Sequence, residues 1–338
     1  MIKEAIAKLV ERIDLEEDEM SEAIETMMEG EATPSQISAF LVALRMKGES
    51  VPEITGAARV LLDKATRISP GHDVVVDLCG TGGDSQGTFN VSTVAALVVA
   101  GAGVPVAKHG NRSVSSYVGS ADVLEALGVN ITPSPEIAER CLRDVGIVFL
   151  FAPLYHPAMK NVSVPRKEIG IRTIFNIIGP IVNPAGVKHQ VIGVYSEVLL
   201  DPMIKVLRNL GHKGAMIVHG SDSMDEITVT GKTVIAELKD GMVKKYQFDP
   251  GDIGIKKRSL AELKGGKSAE ENAALLVSIL KGEEREAKRD IVLLNAAAAI
   301  YVSGTSPDFE DALGRAAESI DSGKAYARLE ELIKATRS

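Results

Sequence analysis

Five short apolar runs, Val74 to Val76, Val104 to Ala107, Ile147 to Phe151, Val191 to Val194 and Ala215 to Val218, carry little polarity and no in-out alternation. Strands of that kind are covered on both faces, so the runs predict a mostly parallel sheet with helices on either side. Ligands of such sheets gather beyond the carboxyl ends of the strands. Ahead of the runs, apolar residues recur at helical spacing: Ile2, Ile6, Leu9 and Ile13, then Met20, Ile24 and Met27, then Ile37, Leu41 and Leu44. Thr33 with Gln36 and Ser50 with Glu53 have capping-box spacing, and Gly48 is placed to end the third helix. The segment 153–187 shows only a candidate helix around His156 to Lys167 and a turn-rich Gly179 to Pro184, and is expected to leave the sheet and join these helices. Beyond Glu226, Thr228 to Thr230, Thr233 to Leu238 and Met242 to Phe248 read as short strands with a turn at Lys239-Asp240-Gly241, before a helical tail. The expected fold class is α/β: a small N-terminal helical domain, 1–70, and a larger α/β domain, 71–338, whose mostly parallel central sheet is flanked by helices.

Charge narrows the partners. The chain has 338 residues, 46 of them acidic and 38 basic, for a net charge of −8. That balance argues against nucleic acid and against a membrane surface, both of which select a basic footprint. No uncharged apolar run approaches the roughly 20 residues that span a bilayer. The first 15 residues carry acids in their first turn and no continuous apolar core, so no export signal is expected. Cys79 and Cys141 alone make neither a disulfide framework nor a zinc site. A reducing, cytoplasmic setting is the expectation.

Three loops at candidate strand ends carry the chemistry. In the first, Gly80, Gly82 and Gly83 fall within four residues ahead of Asp84, and Thr88, Asn90, Val91, Ser92 and Thr93 lead into a helix. Glycines let backbone N–H groups approach an anion, and a helix N-terminus adds about half a positive charge. The spacing is neither GxGxxG nor a Walker A loop. The second loop, Lys108-His109-Gly110-Asn111-Arg112-Ser113-Val114-Ser115-Ser116, is followed by Ser120 at another helix start. Two cations, an amide and several hydroxyls there suit an anion. The third is the acidic Asp225-Glu226, whose carboxylates converge only if the backbone turns. Two acids beside a phosphate site need a divalent cation between, and Mg2+ takes a few carboxylates together with phosphate oxygens and water.

Together these loops resemble the anthranilate phosphoribosyltransferase family. The likeness runs through nearly the whole chain: the helical block, GTGGD, NVST, KHGNRSVSS with GSADVLEALG, the segment from Arg166 through RTIFNIIGPIVNP, and Met224-Asp225-Glu226. The resemblance implies transfer of a phosphoribosyl group from phosphoribosyl pyrophosphate (PRPP) to anthranilate, in tryptophan biosynthesis. It implies PRPP contacts from Gly80, Gly83, Asp84, Thr88, Asn90 to Thr93, Lys108 to Ser116 and Ser120. Two Mg2+ ions would be held by Ser92, Asp225 and Glu226. Gly80, Asn111, Arg166, His109 and Pro180 would receive anthranilate, with Arg166 offering a fork for its carboxylate. A homodimer through the N-terminal helices is also implied. The rival readings are a pyrimidine nucleoside phosphorylase, disfavoured by Asp225-Glu226 and Arg166, and a non-catalytic phosphoribosyl-binding protein, expected to lack part of the metal or anthranilate set.

Overall fold

The computed structural model describes residues 2–83, 86–112 and 118–337. Four helices open the chain: α1 (Ile2–Val10), α2 (Glu17–Met28), α3 (Pro34–Lys47) and α4 (Val51–Asp63). Both anticipated capping boxes form, Thr33 with Gln36 and Ser50 with Glu53, and Gly48 ends α3 at φ +93°. Such caps satisfy N–H groups that the first helical turn leaves orphaned.

The α/β part then runs β1 (Val76–Gly80), α5 (Val91–Gly101), β2 (Val106–Gly110), α6 (Ser120–Ala126), α7 (Pro135–Arg140), β3 (Ile147–Phe151), α8 (Ala152–Tyr155), α9 (Lys160–Ile169), α10 (Ile174–Ile178), β4 (His189–Gly193), α11 (Leu200–Asn209) and β5 (Gly214–Gly220). It continues with β6 (Thr233–Lys239), β7 (Met242–Phe248), α12 (Ala269–Leu280), α13 (Ala287–Val302), α14 (Phe309–Asp321) and α15 (Lys324–Thr336). The seven strands make one sheet in the order β3-β2-β1-β4-β5-β6-β7. From β3 to β5 the pairing is parallel; β6 and β7 are antiparallel.

Both faces of the sheet are covered, which is why the strand runs do not alternate. Along β5, Met216 and Val218 enter a core shared with α5, α13 and α15, while Ala215 and Ile217 enter a second core shared with α11 and α1 to α4. Val162, Ile174, Phe175, Ile177, Ile178, Ile181 and Val182 belong to that second core, so the segment carrying α9 and α10 packs with the N-terminal helices. The expected α/β class, with its helical N-terminal part, is what the chain adopts.

Local differences have physical causes. Thr228 to Thr230 is not a strand. Its hydroxyls donate to Asp222 Oδ2, and the Thr228 N–H donates to Thr233 Oγ1, so side chains take the place of a ladder. The helix expected over His156 to Lys167 divides into a short 3-10 turn at Pro157–Met159 and α9. In the β6–β7 hairpin, Asp240 and Gly241 have φ of +52° and +75°, the two positive angles of the tight turn that matches strand twist.

Candidate functional site

A cleft of about 740 Å³ opens beyond the carboxyl ends of β1, β2, β4 and β5. Loops after β1, β2 and β5 line it, together with α9 and the turn before α10 from the helical side. Every described residue among the sequence candidates lines this cleft except Pro180. Asp84, Ser113, Val114, Ser115 and Ser116 lie outside the described residues. Pro180 is buried behind the wall, where its carbonyl accepts from Gln190 Nε2 at 2.9 Å.

The acidic turn is seated by two glycines. Gly80 at the end of β1 and Gly193 at the end of β4 are register partners. A Cβ on Gly193 would sit 1.5 Å from the Asp225 carbonyl oxygen, and one on Gly80 would sit 2.5 Å from Asp225 Oδ2. The glycine pair is therefore a notch into which Asp225 fits. Asp225 Oδ2 also accepts the Gly82 N–H at 2.9 Å, which joins the acidic turn to the glycine loop. The turn that brings Asp225 and Glu226 together passes through Ser223 at φ +68°.

Lys108 and His109 form the floor, 3% and 5% exposed. Lys108 Nζ donates to the Leu78 carbonyl at 2.6 Å and to Ser92 Oγ at 3.2 Å, so β2 reaches across to the first turn of α5. The His109 N–H donates to Asp77 Oδ1 at 3.1 Å. Asp77 is fully buried, and its Oδ2 accepts from Asn183 Nδ2 at 2.9 Å and Gln190 Nε2 at 3.1 Å. One carboxylate thus ties β1, β2, β4 and the Gly179 to Pro184 turn beneath the cleft. Burial, with His156 and Lys108 nearby, pushes the His109 imidazole down to about 3. It is neutral at physiological pH, and its buried Nε2 has no hydrogen-bond partner among the described residues.

The two arginines singled out from sequence differ. Arg112 is paired, with Nη1 2.8 Å from Asp122 Oδ1 and 2.9 Å from Glu125 Oε2. Those acids lie on α6, just past the acid-poor window that made Arg112 look available to an anion. Arg166 makes no ion pair among the described residues; its guanidinium lies 5.0 Å from the Phe175 ring centroid, and burial lowers its pKa. A half-buried guanidinium without a carboxylate, stacked on an aromatic ring, is ready to receive a planar anion.

Sequence reasoning missed Arg172, Asn176 and Lys167, which also line the cleft. The signal was a third cation, Arg172, in the turn immediately after the helix-ending Gly170.

The donor set suits magnesium. Among the described residues, no group of three or more His, Cys, Asp or Glu could hold a metal alone. Two carboxylates and the Ser92 hydroxyl are hard oxygen donors, and an ion held by so few of them completes its shell with phosphate oxygens and water.

Known proteins match this arrangement along the whole length. Residues 3–65 match the helical bundle domain of the glycosyl transferase family, and residues 72–326 match its a/b domain. The anthranilate phosphoribosyltransferases of Petrotoga mobilis and Geotalea uraniireducens are 51% and 53% identical to it, the alignments covering 98% and 99% of this chain and 96% and 99% of theirs. The crystal structure of the Thermus thermophilus anthranilate phosphoribosyltransferase has a TM-score of 0.94 at 41% identity, with 99% of each chain covered. The solved structure of the Saccharomyces cerevisiae anthranilate phosphoribosyltransferase in complex with PRPP and Mg has a TM-score of 0.91 at 28% identity, covering 99% of this chain and 98% of that one. With both family domains present in order and relatives more than half identical from end to end, the chain belongs to the anthranilate phosphoribosyltransferases of the glycosyl transferase family.

Proposed function

We propose that this protein transfers the 5-phosphoribosyl group of PRPP to the amine of anthranilate, releasing pyrophosphate, in tryptophan biosynthesis. The observation that carries the reading is one cleft with the Lys108 and glycine-loop cradle, the notched Asp225-Glu226 turn and, on its walls, Arg166, which has no ion pair among the described residues. A phosphorylase of neutral nucleosides has no use for the last two.

In this reading PRPP lies against Gly80, Gly83, Thr88, Asn90 to Thr93, Lys108 to Arg112 and Ser120. Asp84 and the 113–116 stretch complete the set. Ser92, Asp225 and Glu226 hold two Mg2+ ions, which supply positive charge against the pyrophosphate oxygens. Anthranilate enters from the helical side, its carboxylate on Arg166 and its ring near Gly80, His109 and Asn111. Pro180, behind the wall, supports that side through its carbonyl.

The bond from ribose C1 to the pyrophosphate oxygen breaks, the C1–N bond forms, and the amine proton passes to solvent. Charge leaves on the pyrophosphate while C1 acquires oxocarbenium character, so stabilising the departing anion is the main task. Lys108, held by the Leu78 carbonyl and Ser92, is fixed for that task before substrate arrives. Anthranilate's amine is already neutral at pH 7, so no strong base is needed. His109, depressed to about 3, is too weak a base to take its proton and instead orients or desolvates anthranilate from the cleft wall.

In this reading the chain divides at 1–70, with about 153–187 joining it, and 71–338, so that Arg166 meets the anthranilate carboxylate from the helical side while PRPP lies on the larger part. Exposed Val10, Ile13 and Met46, on or beside α1 and α3, support a homodimer through the N-terminal helices. No helix among the described residues is long and apolar enough to cross a membrane; the free cysteines Cys79 and Cys141 support the cytoplasmic setting we propose. The test is loss of anthranilate fluorescence on mixing the protein with PRPP, Mg2+ and anthranilate. Loss is expected with metal and not without it; phosphorolysis of thymidine or uridine in a metal-free assay would overturn the assignment.

A further inference from the structure

Arg172 stands between Gly170, which ends α9 at φ +68°, and Thr173, which precedes α10. Its Nη2 donates to the Gly83 carbonyl, and its guanidinium carbon lies 4.0 Å from the centroid of the Tyr195 ring. The Tyr195 N–H donates to Thr81 Oγ1 at 3.1 Å, and the Thr81 N–H to the Gly193 carbonyl at 2.9 Å. Arg172 and Tyr195 therefore close around the first limb of the glycine loop. Gly83 is the residue that admits this contact: its φ is +77°, and a Cβ there would sit 2.1 Å from Arg172 Nη2.

The second limb is held in the same manner. Lys264 donates to the Gln86 carbonyl, the Gly265 N–H donates to the Gly87 carbonyl at 3.1 Å, and Thr88 bridges to Lys264. Carbonyl oxygens turned toward a pyrophosphate would repel it; two in this loop are committed to cations instead. Lys264 lies outside the cleft wall, whereas Arg172 is part of it and makes no ion pair among the described residues. Arg172 also lies on the segment that carries Arg166, six positions along.

We propose that Arg172 is a positioning residue of the PRPP site: it holds the glycine loop in the shape that receives pyrophosphate and fastens that loop to the wall carrying Arg166. This inference rests on the functional reading above. It predicts an effect on PRPP rather than a general loss of structure.

The experiment compares wild type with Arg172→Gln and Arg172→Lys, reading KM for PRPP, KM for anthranilate, kcat and the melting temperature. Arg172→Gln should raise KM for PRPP about tenfold, the scale of one lost charge-assisted hydrogen bond, with KM for anthranilate changed less than about threefold. Arg172→Lys, which keeps the charge and one donor, should recover part of that loss. A KM for PRPP within about twofold of wild type in Arg172→Gln would overturn the proposal. So would an equal rise in both KM values accompanied by a lowered melting temperature. Calorimetric binding of pyrophosphate with Mg2+ separates the two readings: it should weaken about tenfold in Arg172→Gln whether or not anthranilate proves to be the acceptor. Unchanged pyrophosphate binding would sink the role of Arg172, while a wild type that leaves anthranilate intact would sink only the functional reading.

Discussion

Replacing Gly193 by alanine tests whether the acidic turn is held by a notch of glycines. The alanine Cβ would begin 1.5 Å from the Asp225 carbonyl oxygen, 2.3 Å from its carbonyl carbon and 3.0 Å from its Cα. Since Cβ atoms essentially never approach heavy atoms within 3.0 Å, Asp225 or the end of β4 must retreat by about 1.5 Å. The obstacle is backbone, so no rotamer change relieves it. Overpacking of this kind costs about 1–3 kcal/mol of stability. The effect on catalysis should be larger, because a displacement of ~1 Å in a positioned group costs about 10²-fold. We therefore expect kcat/KM to fall at least about 10²-fold, with the Mg2+ concentration for half-maximal rate shifted upward, while the protein stays folded. Steady-state anthranilate consumption across a Mg2+ titration, beside a thermal melt, reads both quantities. Gly80→Ala makes the informative comparison. Its Cβ meets the Asp225 side-chain oxygen at 2.5 Å, and a carboxylate can rotate away, so the fold should suffer less than in Gly193→Ala. A Gly193→Ala enzyme within about threefold of wild type at ordinary Mg2+ would refute the notch.

Three further outcomes follow from the same geometry. Loss of the His109 ring in His109→Ala should lower kcat less than Asp225→Asn combined with Glu226→Gln; a larger defect in the histidine variant, in parallel turnover assays, would contradict its orienting role. The same variant carries a pH signature: the folded His109 titrates near 3 and the unfolded one near 6.5, so below about 6.5 the unfolded chain takes up a proton that the folded chain refuses. This histidine's contribution is thus constant above about 6.5 and declines as pH falls toward 3, by about 2 kcal/mol between pH 7 and pH 5. Denaturation of His109→Ala at those two pH values should show a correspondingly shallower loss than wild type, and parallel losses would refute it. Arg166→Ala should raise KM for anthranilate about tenfold or more and leave KM for PRPP nearly unchanged, reversing the pattern expected at Arg172.

The parallel sheet was legible because five strands buried on both faces leave uninterrupted apolar runs, and the N-terminal helices because their caps are explicit. Thr228 to Thr230 misled for a physical reason: β-branched residues favour strands, yet the Asp222 carboxylate outcompetes a ladder for their donors. The loops at the strand ends were legible as the walls of one cleft from their place after the apolar runs and from their glycine and cation content. Which cations are available was not, since Arg112 is neutralised by Asp122 and Glu125 on the following helix. The convergence of Asp225 and Glu226 depends on a positive φ at Ser223, a residue type that announces no such turn. Gly80 and Gly193 stand far apart in sequence, and only the β1–β4 register shows that they form one notch.

In the function we propose, one cleft joins PRPP to anthranilate with metal held at Asp225 and Glu226. Its most direct measurement is the stoichiometry of pyrophosphate released against anthranilate consumed, with and without Mg2+, in wild type and in Asp225→Asn/Glu226→Gln. One pyrophosphate per anthranilate with Mg2+, and neither change in the double variant or without metal, is the predicted result. Anthranilate loss without matching pyrophosphate, or full turnover in the double variant, would contradict this function.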